Sequence, residues 1–266
     1  MPAKKKAPGK KKASAKKNGR EETSSVIGEP RMVDLLTTPP EEVEGDGTTT
    51  LIPEQHDVLK EVGHVGAGRA SGELSRLTGS IVKVSQPKVE FFSMKEQPEK
   101  FFDCPDSEVV VVFSPVQGQA RGEMLTLLYG NTPLALVDIL LEKEIGTTKD
   151  LSDEDDQRRV TALCADLGNR YLAAVSQLLG LKLQRDEYHL VAADPKAFTT
   201  YLSMSILAGQ DNAIFLKIST NFSTTHTDED TGKQVPIRGD FIFLLELDSV
   251  IGMLKVVKDK LENMTL

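Results

Sequence analysis

Asp57, Glu61 and His64 are spaced i, i+4 and i+7 in a stretch of helical periodicity, so a single helix stripe carries two acids and an imidazole. An acid beside an imidazole is the smallest set that could orient or deprotonate a water. The same residues also make an ordinary solvated helix face, and spacing alone does not separate the two. Gly63, Gly66, Gly68 and Gly72 fall inside this pattern, where an interior glycine costs about 1 kcal/mol relative to alanine. A phosphate-cradling loop does not explain them, because the run GHVGAGRASG neither follows a strand nor has the GxGxxG spacing. Small residues that admit a close neighbour do explain them. That neighbour is either another helix of the same chain or a partner protein.

The elements that position this stripe come in two copies. Residues 61–79 (EVGHVGAGRASGELSRLTG) align without gaps on 162–180 (ALCADLGNRYLAAVSQLLG), with Ser75 over Ser176 and Gly79 over Gly180. Each helix precedes an alternating strand (81–92 and 181–191), a less regular stretch, two further strands (107–116 with 122–129, and 213–222 with 239–247), and an apolar helix (132–144 and 249–264). The pattern predicts an α+β fold (mixed α/β): a pseudo-twofold duplication of helix–strand–(x)–strand–strand–helix, with a mixed sheet and two long helices. Its halves cover about 51–146 and 150–266. Pro53 and Glu54 open the first long helix, and Ser152 is the expected N-cap of the second, followed by three acids. STTHTDEDTGKQVPIRG (223–239) reads as an extended hairpin loop. The acid spacing of its DED run is not that of a calcium loop.

Composition bounds the rest. Residues 1–20 hold eight lysines, Arg20 and no acid, and the other 246 residues hold 23 bases against 40 acids, so a +9 tail precedes a −17 remainder. Residues 1–50, the tail and a polar linker, are too poor in bulky residues to order themselves, apart from a weak docking signal at Val33–Leu36. No aromatic is interleaved with the lysines, which argues against specific nucleic-acid binding. No transmembrane or secretory segment is visible, and Cys104 and Cys164 suit buried free thiols in a reducing compartment, so a cytoplasmic protein is expected.

The stretch LKEVGHVGAGRASGELSRLTGSIVKVSQPKVEF (59–91), together with the repeat, resembles the CheC/CheX/FliY family of chemotaxis phosphatases over roughly residues 53–264. Asp57 matches the leading acid of that family's helix motif, Glu61 its glutamate and Gly63 its intervening glycine. Gly66 and Gly68 lie where GxGNA is expected, and Pro87 falls one residue beyond the expected proline. His64 stands in the asparagine position. In the second half the gapless alignment puts Ala162 and Ala165 in the Glu and Asn positions, whereas a shifted register offers Asp166 and Asn169.

The resemblance implies a two-component signalling hydrolase that removes the aspartyl phosphate of a CheY-type response regulator. Its catalytic candidates are Glu61, His64, Asp166 and Asn169, with Asp57, Gly63, Gly66 and Gly68 against the partner. No cofactor is expected on this chain, because the Mg2+ belongs to the regulator. The alternative is a non-catalytic CheC-like module that binds a regulator or CheD.

Overall fold

The computed structural model of the chain describes residues 41–42, 49–93, 101–102, 108–193, 198 and 214–264. The Lys-rich tail, Val33–Leu36 and Cys104 lie outside them. Within the stretch expected to be a linker, β1 (Glu41–Glu42) pairs antiparallel with β2 (Thr49–Thr50). The first half then runs α1 (Pro53–Thr78), β3 (Lys83–Val84), β4 (Lys88–Ser93), β5 (Val109–Gly118), β6 (Gly122–Tyr129) and α2 (Thr132–Leu140). The second half runs α3 (Glu154–Leu179), β7 (Leu183–Arg185), β8 (His189–Ala193), β9 (Ile214–Thr227), β10 (Gln234–Glu246) and α4 (Leu247–Met264).

The duplicated pattern is present as a duplicated structure. α1 and α3 are both 26 residues long, and each ends on a left-handed glycine, Gly79 at φ 64° and Gly180 at φ 67°. Their buried positions coincide in the gapless register: Leu59 with Val160, Gly63 with Cys164, Gly66 with Leu167, Ala70 with Tyr171, Leu74 with Val175 and Thr78 with Leu179. A helix presents one face every three to four residues, so matched burial means matched orientation.

The sheet orders its strands β3/β4–β9–β10–β6–β5–β7/β8, and every pairing among the described residues is antiparallel rather than mixed. The reason is local, since each half ends in a hairpin (β5–β6 and β9–β10), and the hairpins meet antiparallel at β6 and β10. This seam is tight. A Cβ on Gly122 would lie 1.9 Å from the Leu244 carbonyl oxygen, and one on Gly239 would lie 2.1 Å from the Leu127 carbonyl oxygen. These contacts are images of each other under the pseudo-twofold that carries β6 onto β10.

Both sheet faces are covered. Val110, Val112, Met124, Leu128, Phe241 and Phe243 pack on the helix side, and Val109, Val111, Phe113, Leu125, Ile242 and Leu244 face a second cluster with Phe101, Phe102 and Phe198. That explains the uninterrupted VVVV of β5, which has no solvent face to alternate toward.

Two local expectations change. The N-cap of α3 is Asp153, whose side chain accepts from the Asp155 N–H, while Ser152 donates to Asp150. The expected long loop is mostly strand, because β9 runs to Thr227 and β10 begins at Gln234, with β-branched Thr224, Thr225 and Thr227 in the ladder. The acid Asp228 organises the short turn by accepting from the N–H groups of Asp230, Thr231 and Ile145. Hydrogen bonds from Thr231 first, then Ile145, hold its carboxyl below the usual carboxylate range. Buried Asp138 likewise accepts from the N–H groups of Gly146, Thr147 and Thr148, so two carboxylates pin the connection between the halves.

The interior glycines separate into two kinds. A Cβ on Gly66 would come within 2.7 Å of the Tyr171 ring, whereas one on Gly68 or Gly72 would meet nothing within 4 Å. Gly66→Ala is therefore expected to destabilise the fold by about 1–3 kcal/mol through overpacking. Gly68→Ala and Gly72→Ala should each stabilise it by about 0.5–1 kcal/mol. Chemical denaturation of the three variants checks both signs.

Candidate functional site

Asp57, Glu61 and His64 are all exposed on one stripe of α1. What turns them outward is the packing beneath. Leu59, Val62, Ala67, Ala70 and Leu74 are fully buried, and the turn that carries Glu61 and His64 sits flush on the sheet at Gly63. There a Cβ would lie 2.7 Å from Ile218 Cγ2 and 2.8 Å from Pro87 Cβ. Pro87 thus supports the backbone between the two polar side chains from below.

This placement corrects part of the expected partner surface. Gly63 and Gly66 face inward, against Pro87 with Ile218 and against Tyr171, so a partner cannot touch them; Gly68 is exposed and Asp57 remains available. The close neighbour predicted for the glycine run is, at Gly66, a side chain of the mate helix α3.

The second half carries different chemistry on the same frame. Ala162, exposed, and Ala165, half-buried, occupy the positions equivalent to Glu61 and His64. Asp166 and Asn169 are both engaged within the chain. Asp166 Oδ2 accepts from Arg170 Nε at 2.8 Å, and Asn169 Oδ1 accepts from the Tyr188 hydroxyl at 3.4 Å. Tyr188 falls in the gapless register where the first half has Pro87. Its longer side chain reaches Gly168, where a Cβ would be 2.6 Å from the hydroxyl, and the Arg185 guanidinium lies 5.1 Å above its ring.

The two candidate pairs do not form one site. Arg170 reaches Glu73 Oε2 at 3.2 Å, and Glu73 lies twelve residues, about 18 Å of helix rise, beyond Glu61. Tyr171 packs at Gly66 while its neighbour Arg170 reaches on to Glu73, so this turn of α3 lies against the half of α1 beyond Gly66. Asp166 therefore sits alongside the far half of α1.

Sequence reading missed the cluster that ties the helices together. Glu73 accepts from Arg76 and pairs with Arg170, which in turn bonds Asp166. The Arg76 hydrogen bond, helped by the Arg170 charge, draws the Glu73 carboxyl below its ordinary range. The i,i+3 pair Glu73–Arg76 and the i,i+4 pair Asp166–Arg170 were visible signals, but their junction across two helices was not. Among the described residues no group of three or more His, Cys, Asp or Glu could hold a metal ion, and no helix is long and apolar enough to cross a membrane. Cys164 is buried, and burial pushes its thiol up to about 12, which makes it an inert packing group.

No family model matches the chain. Over 135 residues, 49% of the chain, it is 27% identical to the CheY-P phosphatase CheC of Bacillus subtilis (strain 168). The match spans 62% of that protein's length. The fold is similar to that of Thermotoga maritima FliY, with a TM-score of 0.60 and 17% identity over 79% of this chain and 98% of that one. It is also similar to a chain of the FliG–FliM complex from H. pylori, with a TM-score of 0.50 and 14% identity over 76% of this chain and 99% of that one. The chain is thus similar in part of its sequence to CheC and in fold to FliY, with an α+β architecture.

The Glu73–Arg170 contact joins an almost buried acid to a half-exposed arginine, 13% and 45% exposed, so it should be weak. A double-mutant cycle with Glu73→Gln and Arg170→Gln is expected to give a coupling of about 1 kcal/mol or less, lost at high salt. A salt-insensitive coupling of several kcal/mol would contradict this.

Proposed function

We propose that this chain docks a phosphorylated response regulator of the CheY type on the outward stripe of α1 and hastens loss of its aspartyl phosphate. Glu61 acts as the anchor and His64 as the group that orients the attacking water. The observation that carries the reading is that Glu61 and His64 are exposed together on one helical turn, above a backbone held by Gly63 and Pro87. The 27% identity to a CheY-P phosphatase supports the substrate class.

Little covalent chemistry is needed from such a protein. Phosphoryl transfer to water depends mainly on positioning and charge stabilisation, and on this reading the phosphoaspartate and its Mg2+ come with the regulator. Glu61 offers a carboxylate to a cationic side chain of the partner, which fixes the docking angle. His64, one turn along, presents ring nitrogens within reach of the phosphorylation pocket. A neutral imidazole can both accept from and donate to a water, whereas an imidazolium can only donate and cannot assist attack. Asp57 extends the acidic stripe by one more turn.

A second reading, a binding module for the regulator or for CheD without hydrolysis, draws on the same stripe. It is favoured by the imidazole where the resembled motif has an amide, and by Ala162 and Ala165 in the mate positions.

Phosphate release from a phosphorylated cognate regulator tests both. The wild-type chain should accelerate release, Glu61→Ala and His64→Ala should each lose about tenfold or more, and His64→Asn should retain or exceed wild-type activity. Asn169→Ala should change nothing. Binding without any acceleration would leave only the second reading. Loss of activity on Asn169→Ala would move the site to the second half.

A further inference from the structure

The pseudo-twofold that exchanges Gly122 with Gly239 also carries Glu123 onto Asp240 and Glu246 onto Tyr129. At one end of the seam the acid is satisfied: buried Asp240 accepts from the Tyr129 hydroxyl and from Asn221 Nδ2. At the other end the acid meets an acid. Glu123 is paired in register with Leu244, which places Glu246 on the diagonal of the same face, within reach of a long side chain. Asn221 has no counterpart there, since the matching residue of β5 is Pro115. Glu123 Oε2 is buried without a hydrogen-bond partner.

Among the described residues no cation answers this pair. β5 contributes Pro115 opposite Glu123 and Phe113 and Gln117 on the diagonals, none charged. Lys217, two strands away in the same row, bonds Glu90 at 2.6 Å. Arg121 precedes β6 and is exposed, and the first turn of α4 adds only another acid, exposed Asp248. A carboxylate facing a carboxylate cannot reproduce the Tyr129–Asp240 hydrogen bond. A carboxylic acid facing a carboxylate can.

We infer that Glu123 and Glu246 share one proton, and that this shared proton fastens the last helix to the sheet. Glu246 is the final residue of β10, and α4 begins at Leu247. The junction also carries two hydrogen bonds, Glu246 N–H to the Arg121 carbonyl at 3.1 Å and Arg121 N–H to Ser249 Oγ at 2.7 Å, and beyond it α4 buries Val250, Met253 and Leu254 in the core. Burial first, and the Glu246 charge second, push the Glu123 carboxyl up to about 8. A folded-state value raised above the unfolded one stabilises on the acid side, and that stability is lost as pH climbs toward the folded value. α4 is therefore held firmly in mild acid and loosened at mildly alkaline pH.

Amide hydrogen exchange in α4 of the full chain, corrected for intrinsic exchange chemistry, reads this directly. Between about pH 5.5 and 8 the protection of wild-type α4 amides should fall by as much as tenfold per pH unit, the one-proton limit, and level off above. Glu123→Gln, which keeps the shape and cannot ionise, should show a flat profile. Glu246→Gln, which removes the opposing charge and supplies an amide donor, should show a shallower fall. A flat wild-type profile, or the same slope in wild type and both variants, overturns the inference. Should Glu123→Gln not fold, the Glu246→Gln slope decides alone.

Discussion

The contact on which the rest of the molecule depends is the insertion of the Tyr171 ring into the notch at Gly66. A side chain at Gly66 would stand 2.7 Å from that ring, so the two long helices can approach only because one contributes a tyrosine and the other nothing. The ring in turn rests on Phe241 and Phe243 of the central strand, at centroid distances of 6.3 and 6.1 Å. With Gly66 pinned inward, helix geometry decides what faces out. At 100° per residue, Glu61, His64 and Asp57 stand about 140°, 160° and 180° around the helix from Gly66. The polar stripe is therefore a consequence of the helix crossing. Under the pseudo-twofold the positions equivalent to Gly66 and Tyr171 are Leu167 and Ala70, both buried in the same core.

The two halves keep the same frame and diverge in what the frame presents. Glu61 and His64 give way to Ala162 and Ala165, Pro87 gives way to Tyr188, and the Asp166 carboxylate is drawn to Arg170. The same divergence appears at the seam, where Asp240–Tyr129 at one end becomes Glu123–Glu246 at the other. Duplication supplies two copies of each position. Only one copy has to keep the original chemistry, provided both keep the size and polarity that the packing requires.

The frame was legible in the sequence because it rests on periodicity: apolar residues at helical spacing before Gly79 and Gly180, and β-branched runs such as VVVV that can only be strands. The gapless register was legible for the same reason, since matched helix lengths force matched faces. Less legible was anything set by contacts distant in the chain. That Gly63 and Gly66 serve the interior follows from Pro87, Ile218 and Tyr171, whose proximity no local pattern announces. Asp138 and Asp228 look like surface acids in the sequence and act as internal anchors for backbone N–H groups. The antiparallel seam, and with it the pairing of Glu123 with Glu246, depends on how two hairpins meet.

The central claim is that the docking face belongs to one half only, with α1 outward and armed and α3 its unarmed image. Hydrogen exchange of the chain with and without a CheY-type regulator locked in its phosphorylated conformation by beryllofluoride tests it most directly. Protection on binding should appear in α1 over residues 57–68 and leave the equivalent α3 residues 158–169 unchanged. Protection centred on 158–169, or equal in both helices, would contradict it.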